Sequence, residues 1–521
     1  MAVLALIESI LSFLQGFVKG ETMEFIHGED RAQTILFPDT IDDFIDENSA
    51  VRVIDAFINS LDLAELGFKR ATPNDTGRPS YDPKDMLKLF VYGCLNRIRS
   101  SRRLEAESKR NLEVLWLLHK LSPDHKTIAE FRKHNPKALK NVFRSFVQLC
   151  MKLGLYGKEL AAIDGSKFKA VNAKDRNFTK DKLKDRLARL DVKIDEYLVE
   201  LENSDREEDL ADTKKSAAEI NQIIKDLQER KNNYESYAAE LAETGETQKS
   251  LTDPESRLMP ANGKMDVCYN VQTAVDAKHK LIIEFDVTNK ANDMNQLTPM
   301  AEKVQDILET ETIAITADAG YASVSDIAAA VQMGVEPHVA GIDCQICIPV
   351  EADEQTEVAS HTNGRCVYIK ERNIAICPMG KPLYPAFYKK AKGEAVFSTN
   401  EACNTCACRC TKEKRAFRYQ FVMAESDFTK EYNDKGLAVK QVHIKPNKAI
   451  YAQRKSLSEH PFGTVKRAMD GSYCLTKGIQ KTTGEFALMF LAYNLKRVIN
   501  ILGSKKLIEK IEIMGHNPCF A

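Results

Sequence analysis

The chain has 521 residues, 43% of them hydrophobic and 29% charged, and its formal net charge is −1. This length exceeds one simple core, so two or more domains or large insertions are expected. The balanced charge excludes a uniformly basic nucleic-acid coat. It does not exclude local basic patches, because residues 365–420 carry 12 Lys and Arg against 4 Asp and Glu, and residues 436–510 carry 14 against 4. Either stretch has the charge to bind a polyanion.

The first 20 residues, MAVLALIESILSFLQGFVKG, are apolar but contain Glu8 and lack a basic start. We interpret them as an amphipathic extra helix, or as the product of an upstream start codon with the functional chain beginning near Met23. A signal peptide is the alternative. No apolar run reaches the roughly 18–20 residues of a membrane span, so a cytoplasmic protein without a membrane partner is expected.

Residues 23–150 are predicted to form an all-α domain. The segment AVRVIDAFINSLDLAEL has helical periodicity, and SSRRLEAESKR begins with serines at a helix cap and carries Arg102 and Arg103 in its first turn. In SPDHKTIAEFRKHN, Ser122 before Pro123 is typical of a helix start. Together these segments resemble a helix-turn-helix-like DNA-binding domain. The alternative is an ordinary helical bundle with solvated basic faces.

Residues 158–176 read as strand, turn and short strand, and residues 177–250 then contain no proline and one glycine. Apolar residues recur there at steps of three and four, from Leu183 to Leu201 and again from Ile220 to Leu241. This period predicts an antiparallel helical hairpin or short coiled coil that interrupts a sheet domain. We interpret it as a spacer or a protein-contact arm.

Sheet-like sequence resumes after this hairpin. CYNVQTAVDAKHKLIIEFDVTNK predicts a β-hairpin that turns near Asp276–Lys278, and DMNQLTPMAEKVQDILE predicts a helix. TIAITADAG, SVSDIAAAVQMG and VEPHVAGI then read as strand, helix and strand. This order predicts a mixed α/β sheet, and TGEFALMFLAYNLKRVINILG closes it with a long helix.

Three acidic residues stand in distinctive settings: Asp164 in LAAIDGSKFKA, Asp318 in TIAITADAGYAS and Glu459 in YAQRKSLSEHPFGTVKR. The first two end apolar runs before small-residue turns, which is where strand ends place catalytic groups. Each residue taken singly has a simpler alternative role. These roles are a turn residue for Asp164, a loop cap for Asp318 and a helix-surface pair with Lys455 for Glu459. Taken together, three converging carboxylates are what an enzyme needs to hold divalent metal ions for phosphodiester chemistry.

Eight of the 13 cysteines lie between Cys344 and Cys410, which in a long chain without a secretory start indicates metal binding rather than disulfides. A Cys-Pro-Met-Gly knuckle followed by a second cysteine group suits a tetrahedral thiolate zinc site. The predicted ligands are Cys377, Cys403, Cys406 and Cys410. Cys408 and Cys366 are alternatives for one of them, and the whole set of reduced thiols without metal is the simpler reading. Cys344 and Cys347 are interpreted as buried thiols at a strand end.

Six motifs in this order resemble the bacterial insertion-sequence transposases of the DDE type, and within them the branch called IS-eleven-eighty-two. They are GRPSYDPKDMLKLFVYG with RSSRRLE, AIDGSKF, TDPESRLM, YNVQTAVD, ADAGY and EHPFGTVKR. The resemblance covers residues 24–503. It implies a ribonuclease-H-like catalytic core, a mixed sheet flanked by helices, in which Asp164, Asp318 and Glu459 hold two Mg²⁺ or Mn²⁺ ions. Asp164 would be the ligand that bridges both ions.

The family's last motif has a tyrosine and an arginine before the glutamate and a lysine seven residues after it. Tyr451, Arg454 and Lys466 match these types, although Lys455 occupies the place four before Glu459. Arg454, Lys455 and Lys466 are therefore candidate phosphate contacts. Lys466 would share a helical face with Glu459, and Pro461 predicts that Glu459 lies at a helix start or a kink.

Two further motifs lie near the active site by resemblance. Arg257 in TDPESR would bind a phosphate bidentately, with a structural turn formed with Asp253 as the alternative. Asn270 and Gln272 alternate along one strand and so face one side, where they are either site residues or surface polar residues.

The prediction is a DNA transposase that binds the terminal inverted repeats of its element, cleaves a strand at each end and transfers it to target DNA. Its partners would be double-stranded DNA and further copies of itself, a homodimer or higher, in the bacterial nucleoid. The alternatives are a metal-dependent nuclease of the same fold and a non-catalytic DNA-binding descendant. The predicted parts are an extension (1–22), a helical domain (23–150), a core (158–176, 251–343 and 440–503), a helical hairpin (177–250), a basic cysteine-rich insertion (344–439) and a tail (504–521).

Overall fold

The computed structural model describes residues 40–72, 80–204, 217–261, 263–349, 367–370, 372–377, 381–398, 418–434 and 439–515. The chain divides into two compact units, Met1–Ile45 and Asp46–Ala521. Of the first unit the described part contains one 3₁₀ turn, Ile41–Phe44. All features below belong to the second unit.

The predicted all-α segment folds as a run of helices: α1 (Ala50–Asn59), α2 (Pro83–Leu95), α3 (Ser101–Glu107), α4 (Leu112–Leu117), α5 (His125–His134) and α6 (Pro136–Lys152). The helix predicted to start at Ser122 begins instead at His125. Asp124 caps it, because its carboxylate accepts the backbone N–H groups of Lys126 and Thr127 at 2.9 and 3.1 Å. The Ser122 hydroxyl lies 3.0 Å from that of Ser108 instead.

The central sheet is mixed, as its sequence order predicts. Its strands are β1 (Leu160–Lys169), β4 (Arg257–Ala261), β5 (Lys264–Asp276), β6 (Ile282–Thr288), β7 (Ile313–Ala317) and β8 (Val335–Val339). The order is β4-β5-β1-β7-β8, with β6 also paired to β5. β4, β5 and β6 run antiparallel to their partners, whereas β7 lies parallel to both β1 and β8. Helices α9 (Leu297–Leu308) and α10 (Val324–Gln332) connect β6, β7 and β8.

Three helices cover the sheet face that carries Phe168 and Phe285. The buried helix α12 (Ile479–Leu502) packs there through aromatic rings: Phe486 lies 4.6 Å from Phe168, and Phe490 lies 4.9 Å from Phe285, between ring centroids. Helix α6 adds Phe143, 5.2 Å from Phe285. Helix α11 (Lys448–Gly463) lies across β1, β5 and β7. The helical segment and the sheet therefore share one hydrophobic core.

Two inserted segments extend from this core. Helices α7 (Lys180–Ser204) and α8 (Ala217–Glu243) lie side by side in the segment 177–250, with Leu183 against Leu241 and Leu190 against Leu227. The short strands β2 (Asn177–Thr179) and β3 (Gln248–Ser250) pair antiparallel at their base, so the chain leaves and returns at one place.

The second inserted segment carries the cysteines. Strand β9 (Cys344–Pro349) pairs antiparallel with β15 (Val439–Ile444), and these strands flank a separate sheet. That sheet runs in the order β10 (Val367–Ile369), β11 (Ile374–Ile376), β12 (Pro382–Lys389), β13 (Glu394–Ser398) and β14 (Arg418–Val422). The chain ends, within the described residues, in α13 (Ser504–Gly515).

In the described part of the chain, no single helix is long and apolar enough to cross a membrane. The pair Ile479–Leu502 and Ser504–Met514, bent by 108°, meets length and composition criteria only when both are counted together.

Candidate active site

Asp164 lies within a strand, so the prediction that it stands at a strand end is wrong. β1 continues through Gly165 to Lys169, and Asp164 pairs with Thr273 of β5. Gly165 does not turn the chain, because β1 stays paired with β5 both before and after this residue. Asp318 does stand at a strand end, directly after β7, as predicted. Its carboxylate accepts the Gly320 N–H at 2.7 Å and so caps the turn that follows.

Asp164 and Asp318 are neighbours on adjacent parallel strands. The register pairs Ala162 with Thr316, and each aspartate lies two residues farther along, so both carboxylates leave the same face of the sheet. Burial raises the pKa of Asp164 to about 6, and the Asp318 charge contributes to this rise. The Gly165 N–H, which donates to Asp164 at 2.8 Å, opposes it. The mostly buried Asp164 and the half-buried Asp318 together concentrate negative charge that a cation would stabilise.

Helix α11 supplies the groups that face Asp164 from above. Arg454 Nη1 lies 3.9 Å from Asp164 Oδ2, and the buried Ser458 hydroxyl lowers the pKa of Asp164 although it falls outside strict hydrogen-bond geometry. Lys455 is exposed. The sequence left open whether Arg454 or Lys455 takes the family's arginine position. In the structure Arg454 lies beside Asp164, and Lys455 faces solvent.

Glu459 follows Ser458 on the exposed side of α11. The prediction that it lies at a helix start is wrong, because α11 begins at Lys448 and continues through Pro461. Asn447 caps this helix at its true start by accepting the Ala449 N–H at 2.9 Å. Glu459 therefore stands one helical position away from the residue that faces Asp164, and its catalytic role stays a prediction.

Lys466 reaches the site from a π-helical turn, Thr464–Ala468, that follows α11. Its ammonium donates to Ser166 Oγ at 2.6 Å and to the Lys167 carbonyl at 3.1 Å, and it lies 4.5 Å from the centre of the Phe168 ring. The extra residue of a π-turn changes the helical phase, so Lys466 faces β1 and does not share the exposed face of Glu459. Burial lowers the pKa of Lys466, and Asp164 is among the nearby charges that oppose this.

The remaining predicted site residues lie apart from the carboxylates. Arg257 pairs with Glu246 at 3.1 Å and donates to the Pro254 and Ser256 carbonyls, so it contacts the backbone of this turn and not the Asp253 side chain. Asp253 is fully buried and accepts the Tyr269 hydroxyl at 2.7 Å and the Gly478 N–H at 3.0 Å. Its partner is thus Tyr269 and not Arg257.

Arg102 and Arg103 are exposed on α3. Of the predicted zinc ligands, Cys403, Cys406 and Cys410 lie outside the described residues, as do the alternatives Cys366 and Cys408. Cys377 is buried against apolar residues of the β10–β14 sheet, and its N–H donates to the Lys381 carbonyl at 2.9 Å. The zinc site stays a prediction that a metal assay of the purified protein would test.

Sequence reasoning missed Asp293, a third carboxylate near the pair. It lies in the loop between β6 and α9, and its side chain accepts Asn270 Nδ2 and Gln272 Nε2, each at 2.7 Å. Asn270 and Gln272 are therefore buried, and the alternative that they are surface polar residues is wrong. The sequence did carry one signal of this carboxylate. Asn270 and Gln272 face the same side of one strand, and two buried polar side chains need a polar partner.

The donor chemistry fits a hard divalent cation, because Asp164 and Asp318 offer carboxylate oxygens whose mutual repulsion such an ion would relieve. In the ranges that the structure describes, no three His, Cys, Asp or Glu side chains lie close enough to hold one ion together. Glu459, the third ligand predicted from the sequence, directly follows Ser458 on α11 and is exposed.

Comparisons with known proteins fit this geometry. A family model described as Transposase domain (DUF772) matches residues 39–134, and one described as Transposase DDE domain matches residues 376–499. The second range contains Arg454, Glu459 and Lys466. No curated protein matches the chain. A solved piggyBac transposase synaptic complex with hairpin DNA is 10% identical over 91% of this chain and 81% of that chain, with a TM-score of 0.29, too low to establish a shared fold. The two domain matches support a DNA transposase of the DDE type, an enzyme that cleaves DNA and transfers its strands with a divalent metal cofactor.

Proposed function

We propose that this transposase cuts DNA at the ends of its own insertion sequence with a site built from Asp164, Asp318 and Glu459 on a ribonuclease-H-like core. The observation that carries the proposal is the juxtaposition of Asp164 on β1 with Asp318 at the end of the adjacent strand β7, faced by Arg454. The sheet order, with β5 and β6 antiparallel on one side of β1 and β7 and β8 parallel on the other, supports the assignment of the core.

Each residue has a distinct task in this scheme. Asp164 and Asp318 would hold Mg²⁺ or Mn²⁺, which when bound activates the attacking water or hydroxyl and stabilises the leaving oxygen. Arg454 stands where it offsets negative charge beside Asp164, and its planar guanidinium suits a phosphate oxygen. Lys466 fixes the strand next to Asp164 through Ser166, so its first role is to position β1, not to contact solvent-exposed DNA.

Glu459 is the predicted third ligand, and it provides the direct test. In Glu459→Gln the carboxylate is lost while the size and helix propensity are kept, so we expect Mg²⁺-dependent cleavage of DNA carrying the element's ends to fall by about 10²-fold or more. The matched control is Glu509→Gln, which changes an exposed glutamate on α13. The measurement is the single-turnover rate of end cleavage at saturating DNA.

Three outcomes separate the alternatives. Cleavage followed by joined products in a target plasmid supports a complete transposase, whereas cleavage without joining supports a nuclease of the same fold. End binding without cleavage by the wild-type protein supports a non-catalytic descendant. Equal rates for Glu459→Gln and Glu509→Gln would remove Glu459 from the site and leave Asp164 and Asp318 in place.

The helical segment would recognise the element's ends, with Arg102 and Arg103 on the exposed face of α3 as phosphate contacts. We expect the double variant Arg102→Ala/Arg103→Ala to weaken binding of end DNA and to lower the slope of log K against log salt by about 2. Lys109→Ala, an exposed residue just after α3 whose ammonium is already paired with Glu105 at 2.8 Å, is the control. An unchanged slope would place the end-binding surface elsewhere.

Pairing of two ends in one complex requires at least a dimer on DNA, and light scattering of the protein with end DNA would show whether it forms. The helical hairpin of α7 and α8 and the basic cysteine-rich insertion would serve as separate contact arms.

A further inference from the structure

Asp293 is the most heavily bonded acidic side chain beside the active site. Its Oδ1 accepts Asn270 Nδ2 and Gln272 Nε2 at 2.7 Å each and Lys167 Nζ at 3.1 Å, while Oδ2 receives Lys167 at 3.2 Å. Asn270 and Gln272 are fully buried, and the Lys167 and Asp293 side chains are 15% and 17% exposed. Three donors, Lys167 from β1 and Asn270 and Gln272 from β5, thus meet at one carboxylate in the loop before α9.

The Asp293 carboxylate lies close to the backbone at Gly165, the residue after Asp164. A Cβ at Gly165 would lie 2.4 Å from Asp293 Oδ1 and 2.3 Å from Gln272 Nε2, distances that no side chain tolerates. Gly165 lies on the opposite sheet face from Asp164, because successive side chains alternate along β1. The absence of a side chain at Gly165 therefore lets Asp293 contact the strand at the residue next to Asp164.

The same network reaches the turn that holds Asp318. The buried Tyr321 hydroxyl donates to Gln272 Oε1, and Tyr321 belongs to the 3₁₀ turn that Asp318 caps. At Gly320 a Cβ would lie 2.9 Å from Asp318 Oδ1 and 3.6 Å from Asp293 Oδ2. The Asp293 carboxylate thus lies between the strand of Asp164 and the turn of Asp318.

We infer that Asp293 is a positioning residue, which through Gln272 and Tyr321 fixes the Asp318 turn relative to Asp164 so that the two carboxylates bind one metal ion. The inference rests on the proposed function, since it assigns Asp293 a role in the metal affinity of that site. Its Lys167 partner matters because the ion pair lies in a mostly buried place, where an unpaired charge is unfavourable.

Asp293→Asn keeps the side-chain shape but removes the charge and places an amide against Lys167. Outer groups that orient metal ligands typically contribute 10- to 100-fold to metal affinity, so we expect a weakening of about that size for Mn²⁺. The measurement is Mn²⁺ binding to the full-length, DNA-free protein by electron paramagnetic resonance. The Mn²⁺ concentration for half-maximal end cleavage should shift to the same extent.

Asp286→Asn is the matched control, because it removes an Asp–Lys ion pair with Lys303, 2.7 Å long, on the same sheet. Asp286 is the cross-strand neighbour of Gln272, but its carboxylate accepts Lys303 and the Val287 N–H instead of the groups that bind Asp293. This control variant should leave Mn²⁺ affinity unchanged. Adding Lys167→Met to Asp293→Asn removes the unpaired charge and should restore part of the affinity. A purely structural role would lower the melting temperature in both Asp293 and Asp286 variants while sparing Mn²⁺ affinity per folded molecule.

Wild-type Mn²⁺ affinity in Asp293→Asn, with Asp164→Asn still preventing binding, would overturn the inference and leave the proposed function standing. Mn²⁺ binding that survives Asp164→Asn would instead overturn the proposed function. If Asp293→Asn does not fold, Tyr321→Phe decides by the same criterion. It removes one hydroxyl from the link between Gln272 and the Asp318 turn, and unchanged affinity in that variant sinks the inference.

Discussion

Asp164→Asn is expected to abolish metal-dependent cleavage of end DNA and, at the same time, to stabilise the metal-free protein. The loss of activity follows because the amide cannot neutralise a divalent cation next to Asp318. We expect the single-turnover rate to fall by about 10³-fold or more, the scale found when one member of a catalytic unit is removed. The gain in stability follows because the variant no longer carries a charge in a buried place.

The raised pKa of Asp164 determines how the difference in free energy of unfolding between the variant and the wild type changes with pH. Burial raises the pKa of Asp164 to about 6 in the folded protein, above its ordinary value near 4. A raised carboxyl pKa favours the folded state fully at low pH and loses that contribution as the pH rises through 6. Asp164→Asn should therefore match the wild type below pH 4 and exceed its free energy of unfolding by about 1–3 kcal/mol above pH 6.

Urea unfolding in EDTA at pH 4 and pH 7.5 measures this difference, and the same experiment with Mn²⁺ reverses it. Bound metal stabilises the wild type by mass action, and the variant should gain nothing from the ion. Asp306→Asn, a change on the outer side of α9, is the control. Lower stability of Asp164→Asn at pH 7.5 in EDTA would show that the Asp164 carboxylate is held by favourable contacts and is not strained.

The sequence predicted the succession of strands and helices along the chain and the strand-end position of Asp318, because both depend on local signals. An apolar run that ends in Asp-Ala-Gly marks the end of β7 whatever surrounds it. Asp164 was placed at a strand end for the same reason, and wrongly, because β1 continues only by virtue of its pairing with β5, a partner about 100 residues away along the chain. Pairing of that range leaves no local trace.

Asp293 and the phase of α11 were beyond sequence reasoning for a related reason. Asp293 meets Lys167 across 126 residues and carries no motif of its own. A count of seven residues from Glu459 to Lys466 assumes a regular helix, and the π-turn at Thr464–Ala468 breaks that assumption. Ser458 faces Asp164 from α11 beside Arg454, and no charge pattern singles Ser458 out.

Arg99→Ala is expected to lower the free energy of unfolding by about 3–5 kcal/mol, the range observed when one partner of a buried ion pair is removed. The side chains of Arg99 and Glu485 are 4% and 3% exposed and lie 2.6 Å apart. Arg99 also donates to the carbonyls of Asp470 and Tyr473, each at 2.5 Å, and its guanidinium lies 4.7 Å from the Tyr473 ring.

These contacts join the loop between α2 and α3 to the segment that follows the π-turn of Lys466. Glu485 on α12 accepts, in addition to Arg99, the backbone N–H groups of Leu475 and Thr476 at 3.0 Å. Without Arg99 the Glu485 charge stays buried with only neutral donors, and the carbonyls of Asp470 and Tyr473 lose their partner. Arg99→Lys should recover little, because a single ammonium cannot reproduce the planar fork that serves three acceptors.

Arg97→Ala is the matched control, two residues earlier in the same loop. Arg97 is exposed and donates one bond, to the Ala468 carbonyl at 2.6 Å, so we expect a loss of only about 0.5–1.5 kcal/mol. Urea unfolding of both variants measures the difference. If Arg99→Ala and Arg97→Ala lose equal stability, the buried pair is not what ties the helical segment to the core. If Arg99→Ala alone also slows cleavage, the position of Lys466 depends on that tie, since the segment from Ala468 to Tyr473 is what holds the π-turn in place.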